Sequence, residues 1–456
     1  MTTRAATTIL VFSVLASFAA ATVGHAESLV QVLDLAKNND PQYQSAKLEM
    51  EALGFGVKAA RSGLLPSVSI AYAKTKTRQD ILASGNTLYS VGNSSYPQTD
   101  LSLSITQPIL KLASWRQLSQ AKANERAAQE AYAAALQDLI VRTAKAYTDV
   151  LEAQDTVTLE NAKRESLASQ LELTESKYKS GKTTIVGLKD VQARVALNVS
   201  DLVAARNDRL DKIQALEQIT GKNINGLEPI DGKLKLVYPD PMDPAKWVSL
   251  SLRQNYSIKA QQDMVDAAGF EVRKQRAGAA PTLDLSLTQD RKNTGGSVFG
   301  GGSDIKETDM MLNLRVPIYD GGMTSAATSA AAKRHEEAQF GFDRQYRLVR
   351  REALAAYNGV VGDIERIHAL GSTVSSLDAA YQLKLDSYKA GLVNVVAVLD
   401  AERDLVAAKR EQAQARYDYM LNVLKLKQAA GTLTEADAAA WLGSAEGTRL
   451  NGTRLN

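Results

Sequence analysis

Tyr178, Gly181 and Asp190 recur in the same order and spacing 210 residues later, as Tyr388, Gly391 and Asp400. Each set falls where a long proline-free stretch of helix formers stops. A glycine there accepts the left-handed backbone that ends a helix. Thr183/Thr184 and Asn394 then stand where the N-cap of a following helix belongs. The chemistry open to such a set is non-covalent: a phenol that can hydrogen-bond and a carboxylate that can pair with a cation, both at a helical tip. A plainer reading stands beside it. An Asp in the first turns of a helix favours the macrodipole by ~0.3–1 kcal/mol, and each Tyr can pack against a neighbouring helix.

Nothing else in the chain converges on chemistry. There is no cysteine, which excludes disulfide scaffolds, thiolate zinc sites, cysteine nucleophiles and an acylated N-terminal anchor. Of the three histidines, His335 and His368 are isolated on helical stretches and far apart, so neither a metal nor a cofactor is expected. Residues 295–302 are glycine-rich but lack the Gly-Lys-Ser/Thr ending of a phosphate loop. Lys+Arg is 54 against Asp+Glu 51, a formal charge of +3, which argues against a nucleic-acid partner. Lys333-Arg334 and the arginines of 344–351 have Glu336, Glu337 and Asp343 nearby and read as a solvated helix face. No enzyme is expected.

The elements that carry the tips follow from pattern. Arg4 precedes an uncharged run from Ala5 to Val23, and Gly24-His25-Ala26 supplies small residues before Glu27. Residues 1–26 therefore read as a signal peptide of an exported protein. The remainder is duplicated. Gly54-Phe55-Gly56-Val57-Lys58 answers Gly269-Phe270-Glu271-Val272-Arg273, and Pro108-Ile109 answers Pro317-Ile318. We expect a first repeat over 27–221, a linker over 222–246, a second repeat over 247–431 and a tail over 432–456 that docks through Leu433, Ala438 and Trp441.

Each repeat reads helix, strand, loop, strand, long helix, turn, helix. Val68, Ile70 and Tyr72 alternate with Ser69, Ala71 and Ala73; Leu101, Leu103 and Ile105 alternate with Ser102, Ser104 and Thr106. Leu283, Leu285 and Leu287, then Met310, Leu312, Leu314 and Val316, repeat the period of two. The four strands are expected to have the ~9–11 residues that cross an outer membrane. Pro66, Pro108, Pro281 and Pro317 should bound them, with polar loops at Asn93-Ser94-Ser95 and in 295–302. The proline-free stretches 112–180 and 323–390 predict helices of roughly 100 Å. The stretches 28–62 and 184–220, roughly 50–55 Å each, can stack end to end as a pseudo-continuous partner.

Four strands cannot span a membrane alone, because an open sheet leaves edge N–H and C=O groups in lipid at several kcal/mol each. Closure needs several copies. Eight strands from a dimer would be filled by side chains, whereas twelve from a trimer leave room for water, so a trimer or larger is favoured.

Leu35-Ala36 with Asn39-Asp40-Pro41, Leu64-Leu65-Pro66-Ser67 and Gln107-Pro108-Ile109-Leu110 come in order in the first half. The second half adds 316–322 (Val-Pro-Ile-Tyr-Asp-Gly-Gly), Tyr388-Lys389-Ala390-Gly391, Leu399-Asp400-Ala401 and Gly431-Thr432-Leu433. With the duplication, this series resembles the TolC family of Gram-negative outer-membrane efflux and secretion ducts over nearly all of 27–440. The resemblance implies a mainly α chain with a small transmembrane β part and a homotrimer sharing one twelve-strand barrel set in outer-membrane lipid. A long α-helical tunnel would extend into the periplasm. It further implies a passive duct for drugs, toxins or proteins, opened by an inner-membrane transporter and a periplasmic adaptor. The gate would lie at the tips, with Tyr178, Tyr388, Asp190 and Asp400 as its candidates and Gly181 and Gly391 forming the turns. Some family members carry a second acid three residues before the Leu-Asp-Ala aspartate and an Arg soon after the Gly. Here those positions are Ala397 and Val393, so a less negative constriction and a weaker salt-bridge lock are expected. The rival reading is a periplasmic coiled-coil scaffold or adaptor without a pore.

Overall fold

The structure, a computed structural model, describes residues 26–83, 91–230, 234–296 and 301–439. The expected signal peptide, apart from Ala26, and Trp441 lie outside the described residues.

Two helices come first among the described residues, α1 (Leu29–Asn39) and α2 (Pro41–Ser62). The sequence reading ran them together over 28–62, and the structure corrects it. Asp40 is extended, caps α2 through the Tyr43 N–H at 2.7 Å, and is followed by a proline at N1. A proline there cannot continue the preceding helix but suits the start of the next.

Then come β1 (Ser67–Ile81), β2 (Gly92–Lys111), α3 (Leu112–Lys179) and α4 (Ile185–Thr220). The second half repeats the order as α5 (Pro244–Gln254), α6 (Tyr256–Arg276), β3 (Thr282–Thr294), β4 (Ser303–Arg315), α7 (Met323–Lys389) and α8 (Val395–Ala429). A short α9 (Glu435–Ala439) follows, and Leu433 and Ala438 dock in the core beside Val32, Leu139 and Tyr147.

The strands form one antiparallel sheet in the order β1-β2-β3-β4. They run 13 to 20 residues, longer than expected, because Asn93-Ser94-Ser95 is not a loop but strand paired with Asp80, Gln79 and Arg78. Ladder hydrogen bonds thus continue past the apolar stretch into a polar extension. Pro108 also lies inside β2, where its missing N–H coincides with a register shift between Pro108 and Leu110. Val68, Ile105, Leu287 and Met310 align across the sheet, so one face is apolar over all four strands. Ser69, Ser104, Thr288 and Asp309 align on the other face.

The long helices α3 and α7 have 68 and 67 residues, each spanning roughly 100 Å. Their partners stack end to end as the length match required. Gly221 closes α4 against Asn39 at the α1–α2 break. Asn255, the N-cap of α6, donates from Nδ2 to the Ala429 carbonyl at the end of α8, 3.1 Å away. No helix among the described residues is long and apolar enough to cross a membrane.

Candidate functional site

Both tips are built alike. Gly181 and Gly391 have φ of 71° and 82°. Gly181 donates its N–H to the Tyr178 carbonyl and Lys182 to that of Lys177; Gly391 and Leu392 do the same to Tyr388 and Ser387. These paired bonds are the Schellman closure of a helix, and they explain why a Tyr precedes each Gly by three: its carbonyl is one of the acceptors. Thr184 and Asn394 cap the outgoing helices through the N–H groups of Gly187 and Ala397, at 3.2 and 3.1 Å.

The equivalence ends at the side chains. Tyr388 is buried, 3% exposed, among Leu167, Val191, Val395, Val398 and Leu399. Thr174 directs its hydroxyl hydrogen to the Gln170 carbonyl at 2.7 Å, so the Tyr388 O–H donates to Thr174 Oγ1 at 2.8 Å. Lys177 Nζ lies over the Tyr388 ring, 4.0 Å from its centroid, and donates to the Tyr388 carbonyl. Tyr178, by contrast, is 42% exposed.

The aspartates differ in the same way. Asp400 accepts from Arg194 of α4 and from Arg403 of its own helix, both at 3.5 Å. Asp190 has no cation within 4.0 Å among the described residues. Val393 is exposed at the turn and Ala397 is half-buried. The structure therefore gathers Tyr388 and Asp400 with partners from the other hairpin and leaves Tyr178 and Asp190 at the periphery.

Above the tips lie buried polar groups that the sequence did not reveal. Glu402 accepts from Gln170 Nε2 at 3.0 Å. Burial pushes its carboxyl above the usual range, against the lowering effect of its bonds to Ser166 and Gln170. Gln170 Oε1 is left without a partner. Higher up, Glu160 joins three helices: Asn198 donates to it at 2.8 Å, Lys163 and Arg410 each at 3.1 Å. A carboxylate this buried is tolerated because it is paired and hydrogen-bonded. Arg403, three residues after Asp400, and Lys163, three after Glu160, were the partners readable from helical spacing. Arg194 and Thr174, and Glu160 toward Asn198 and Arg410, act across helices, and no local pattern marks these contacts. Among the described residues no group of His, Asp and Glu could hold a metal ion.

An open sheet with one apolar face, duplicated halves and two long helical hairpins can serve as a wall segment of a conduit. A sequence profile described as "Outer membrane efflux protein" matches residues 32–222 and 247–432. The chain belongs to this family. Outer membrane protein TolC of Vibrio cholerae is 31% identical over 420 residues, covering 90% of this chain and 92% of that one. Proteases secretion protein PrtF of Dickeya chrysanthemi is 28% identical and covers 94% of each chain. Among solved structures, the CmeC outer membrane channel of Campylobacter jejuni superposes with a TM-score of 0.79 at 18% identity, covering 89% of this chain and 85% of that one. The resemblance read from the motifs is thus borne out, as is the mainly α fold with its unclosed four-stranded sheet. As a family member the chain is an outer-membrane channel protein of efflux or secretion, embedded in the membrane and reaching into the periplasm. The reading as a pore-less periplasmic scaffold or adaptor falls with that assignment.

Proposed function

We propose that three copies of this chain close one twelve-strand barrel in the outer membrane and continue as a helical tunnel whose periplasmic tips form the gate. The observation that carries this reading is the sheet. It has four strands, two unpaired edges at β1 and β4, and one apolar face whose Ile70 and Met310 are 72% and 75% exposed in the single chain. Unpaired edges in lipid require partners, and identical neighbours supply them by setting β1 of one copy against β4 of the next. The other face carries Ser69, Ser102, Ser104 and Thr288, small polar groups suited to a wet lumen, with the small Ala71 among them.

The gate follows from the duplication. Within a chain, Tyr388 with Thr174 and Asp400 with Arg194 tie the two hairpins together. In a ring the same hairpins also meet between copies. The counterparts of Asp400 and Arg194, shifted by 210 residues, are Asp190 and Asp404. That pairing is carboxylate with carboxylate, so the seam between copies is the weaker one and the place where opening starts. A periplasmic adaptor and an inner-membrane transporter supply the work. Drug efflux and protein secretion both fit such a duct.

The test is single-channel conductance of the purified protein in a planar bilayer, beside Asp400→Ala. A small, stable conductance that rises in the variant supports a duct gated at these tips. A large conductance unaffected by the variant moves the gate elsewhere, and a protein that is neither oligomeric nor conductive overturns the barrel.

A further inference from the structure

The sheet register sorts charge by face. Beyond Tyr72, the apolar face continues on β1 as Lys74, Lys76 and Arg78, all exposed. One row across the sheet reads Tyr72, Leu101, Arg291, Lys306, so β3 and β4 turn basic on that same face. Around the same level, the opposite face carries Asp100, Asp290 and Glu307, with Asp309 nearer the helices, in the row of Ser69. Lys292, Asp80 and Asp304 run against this sorting. In a chain of formal charge +3, five cations have thus been placed on the lipid side and four carboxylates on the lumen side.

The height of the cations is fixed as well. β1 leaves α2 at Ser67 and β4 reaches the segment before α7 at Arg315, so the apolar residues lie nearer the helices and the cations farther away. With the helices in the periplasm, the cations stand just outside the hydrocarbon, on the outer leaflet. Arg291 and Lys306 are directly opposite each other on neighbouring strands. Like charges so placed repel. Arg291 is offset by Asp304 at 2.8 Å, while Lys306, Lys74, Lys76 and Arg78 have no carboxylate within 4.0 Å among the described residues. Closing the barrel sets β4 of one copy beside β1 of the next, so the basic faces of these two strands become neighbours at every seam.

We infer that this girdle binds the phosphates of a phosphorylated glycolipid of the lipid A type in the outer leaflet, acyl chains lying against Val68, Ile70 and Met310. The inference rests on the barrel reading above. Its occupant follows from continuity and charge: a ligand that covers both the apolar band and a girdle of four unpaired cations must carry acyl chains and more than one phosphate on a single headgroup, which a lipid with one phosphate does not. A soluble anion would satisfy only the second.

The test uses the full-length oligomer in phosphatidylethanolamine vesicles doped with bis-phosphorylated lipid A, with its dephosphorylated form, or with phosphatidylglycerol. Flotation scores insertion, and native mass spectrometry scores the lipid retained after detergent extraction. Two variants are compared with the unaltered chain: Lys74→Gln/Lys76→Gln/Arg78→Gln/Lys306→Gln, and the charge-keeping Lys74→Arg/Lys76→Arg/Arg78→Lys/Lys306→Arg. Each basic side chain at an anionic lipid surface contributes about fivefold in affinity. Retention of bis-phosphorylated lipid A should therefore fall more than about tenfold in the neutral variant and persist in the charge-keeping one. Equal retention of the dephosphorylated lipid or of phosphatidylglycerol overturns the proposal, as does displacement by inorganic phosphate alone or undiminished retention in the neutral variant. A chain that fails to float overturns the barrel reading with it, whereas floating with unselective retention sinks only the girdle.

Discussion

Thr174 and Tyr388 are 214 residues apart in the chain and 2.8 Å apart at their hydroxyls, the Tyr donating to a Thr whose own hydrogen is committed to the Gln170 carbonyl. This buried bond joins α3 to α7 at the tips. Tyr388→Phe removes the donor and keeps the ring under Lys177, so the cost should be about 0.5–1.5 kcal/mol. We expect a rise in conductance with the oligomer intact. Thr174→Val should act in the same direction. A double-mutant cycle read from open probability should show the two changes to be less than additive, because they break one bond. Full additivity would remove this bond from the gate.

The Asp400–Arg194 pair is a different kind of contact. Its side chains are 40% and 38% exposed and it spans 3.5 Å, so it contributes about 0–1 kcal/mol and is screened by salt. Arg194→Gln should shift the closed-to-open ratio by at most about fivefold. The shift should shrink as ionic strength rises, whereas the effect of Tyr388→Phe should not. Conductance recorded across a salt series separates the two. A salt-independent effect of Arg194→Gln would mean that the arginine acts through packing.

The sequence showed the frame of this site and not its fastenings. Duplication, the two long helices, both glycine turns and the Thr184 and Asn394 caps were legible because each is a local pattern or a repeat of one. The break at Asp40-Pro41 was also written locally, as an N-cap followed by proline, but a continuous run of helix formers on both sides masked it. Strand lengths were underestimated because polar residues such as Asn93 and Ser94 pair through backbone groups, which side-chain type does not reveal. The exposure difference between Tyr178 and Tyr388 was invisible for another reason. The halves are equivalent in sequence but not in surroundings, since one chain contains only one of the two hairpin contacts.

Glu402 gives the tip region a pH dependence with a definite sign. Burial raises its pKa in the folded state above the usual carboxylate value of 4.5. A raised folded pKa means that the contribution to stability is fully present below the unfolded pKa and is lost as pH rises through the folded one. Mild acidification from neutral should therefore tighten this part of the bundle, and a protonated Glu402 can also satisfy the orphaned Gln170 Oε1 after rotation of the amide. Glu402→Gln should raise Tm at pH 8 and flatten its change between pH 8 and pH 5. Thermal melts at both pH values in low salt decide this; an unchanged slope would assign the pH dependence to Glu152, Glu352 or Asp363, whose carboxyls burial also raises.

Asp40 fastens the junction where α4 meets α2. It is 3% exposed, caps α2, and accepts two bonds from Arg142 at 3.1 Å each. Burial acts to raise its pKa, but Arg142 and the Tyr43 N–H outweigh it and hold the carboxyl below the usual range. Asp40→Ala removes the cap and leaves the half-buried Arg142 guanidinium with Asp138 alone, at 2.7 Å, which should cost about 2 kcal/mol. The loss should appear as a lower Tm and as faster hydrogen exchange confined to 29–62 and the adjoining part of α3, with the tips unaffected.

Ala397 offers a test of how the tip handles cations. It stands three residues before Asp400 in the first turn of α8, and its N–H already donates to Asn394 Oδ1. An aspartate there favours the helix dipole, so Ala397→Asp should fold as the unaltered chain does. In a three-copy ring it would add three carboxylates beside those of Asp400. A charge pair at ~4 Å contributes about 1 kcal/mol even in bulk water, so block by a trivalent cation such as hexaamminecobalt should tighten by about tenfold or more. The unaltered channel should show only weak block, and Ala397→Asp/Asp400→Asn should return close to it. Equal block of the unaltered channel and Ala397→Asp, measured from the lumenal side of a planar bilayer, would place the narrowest point away from α8.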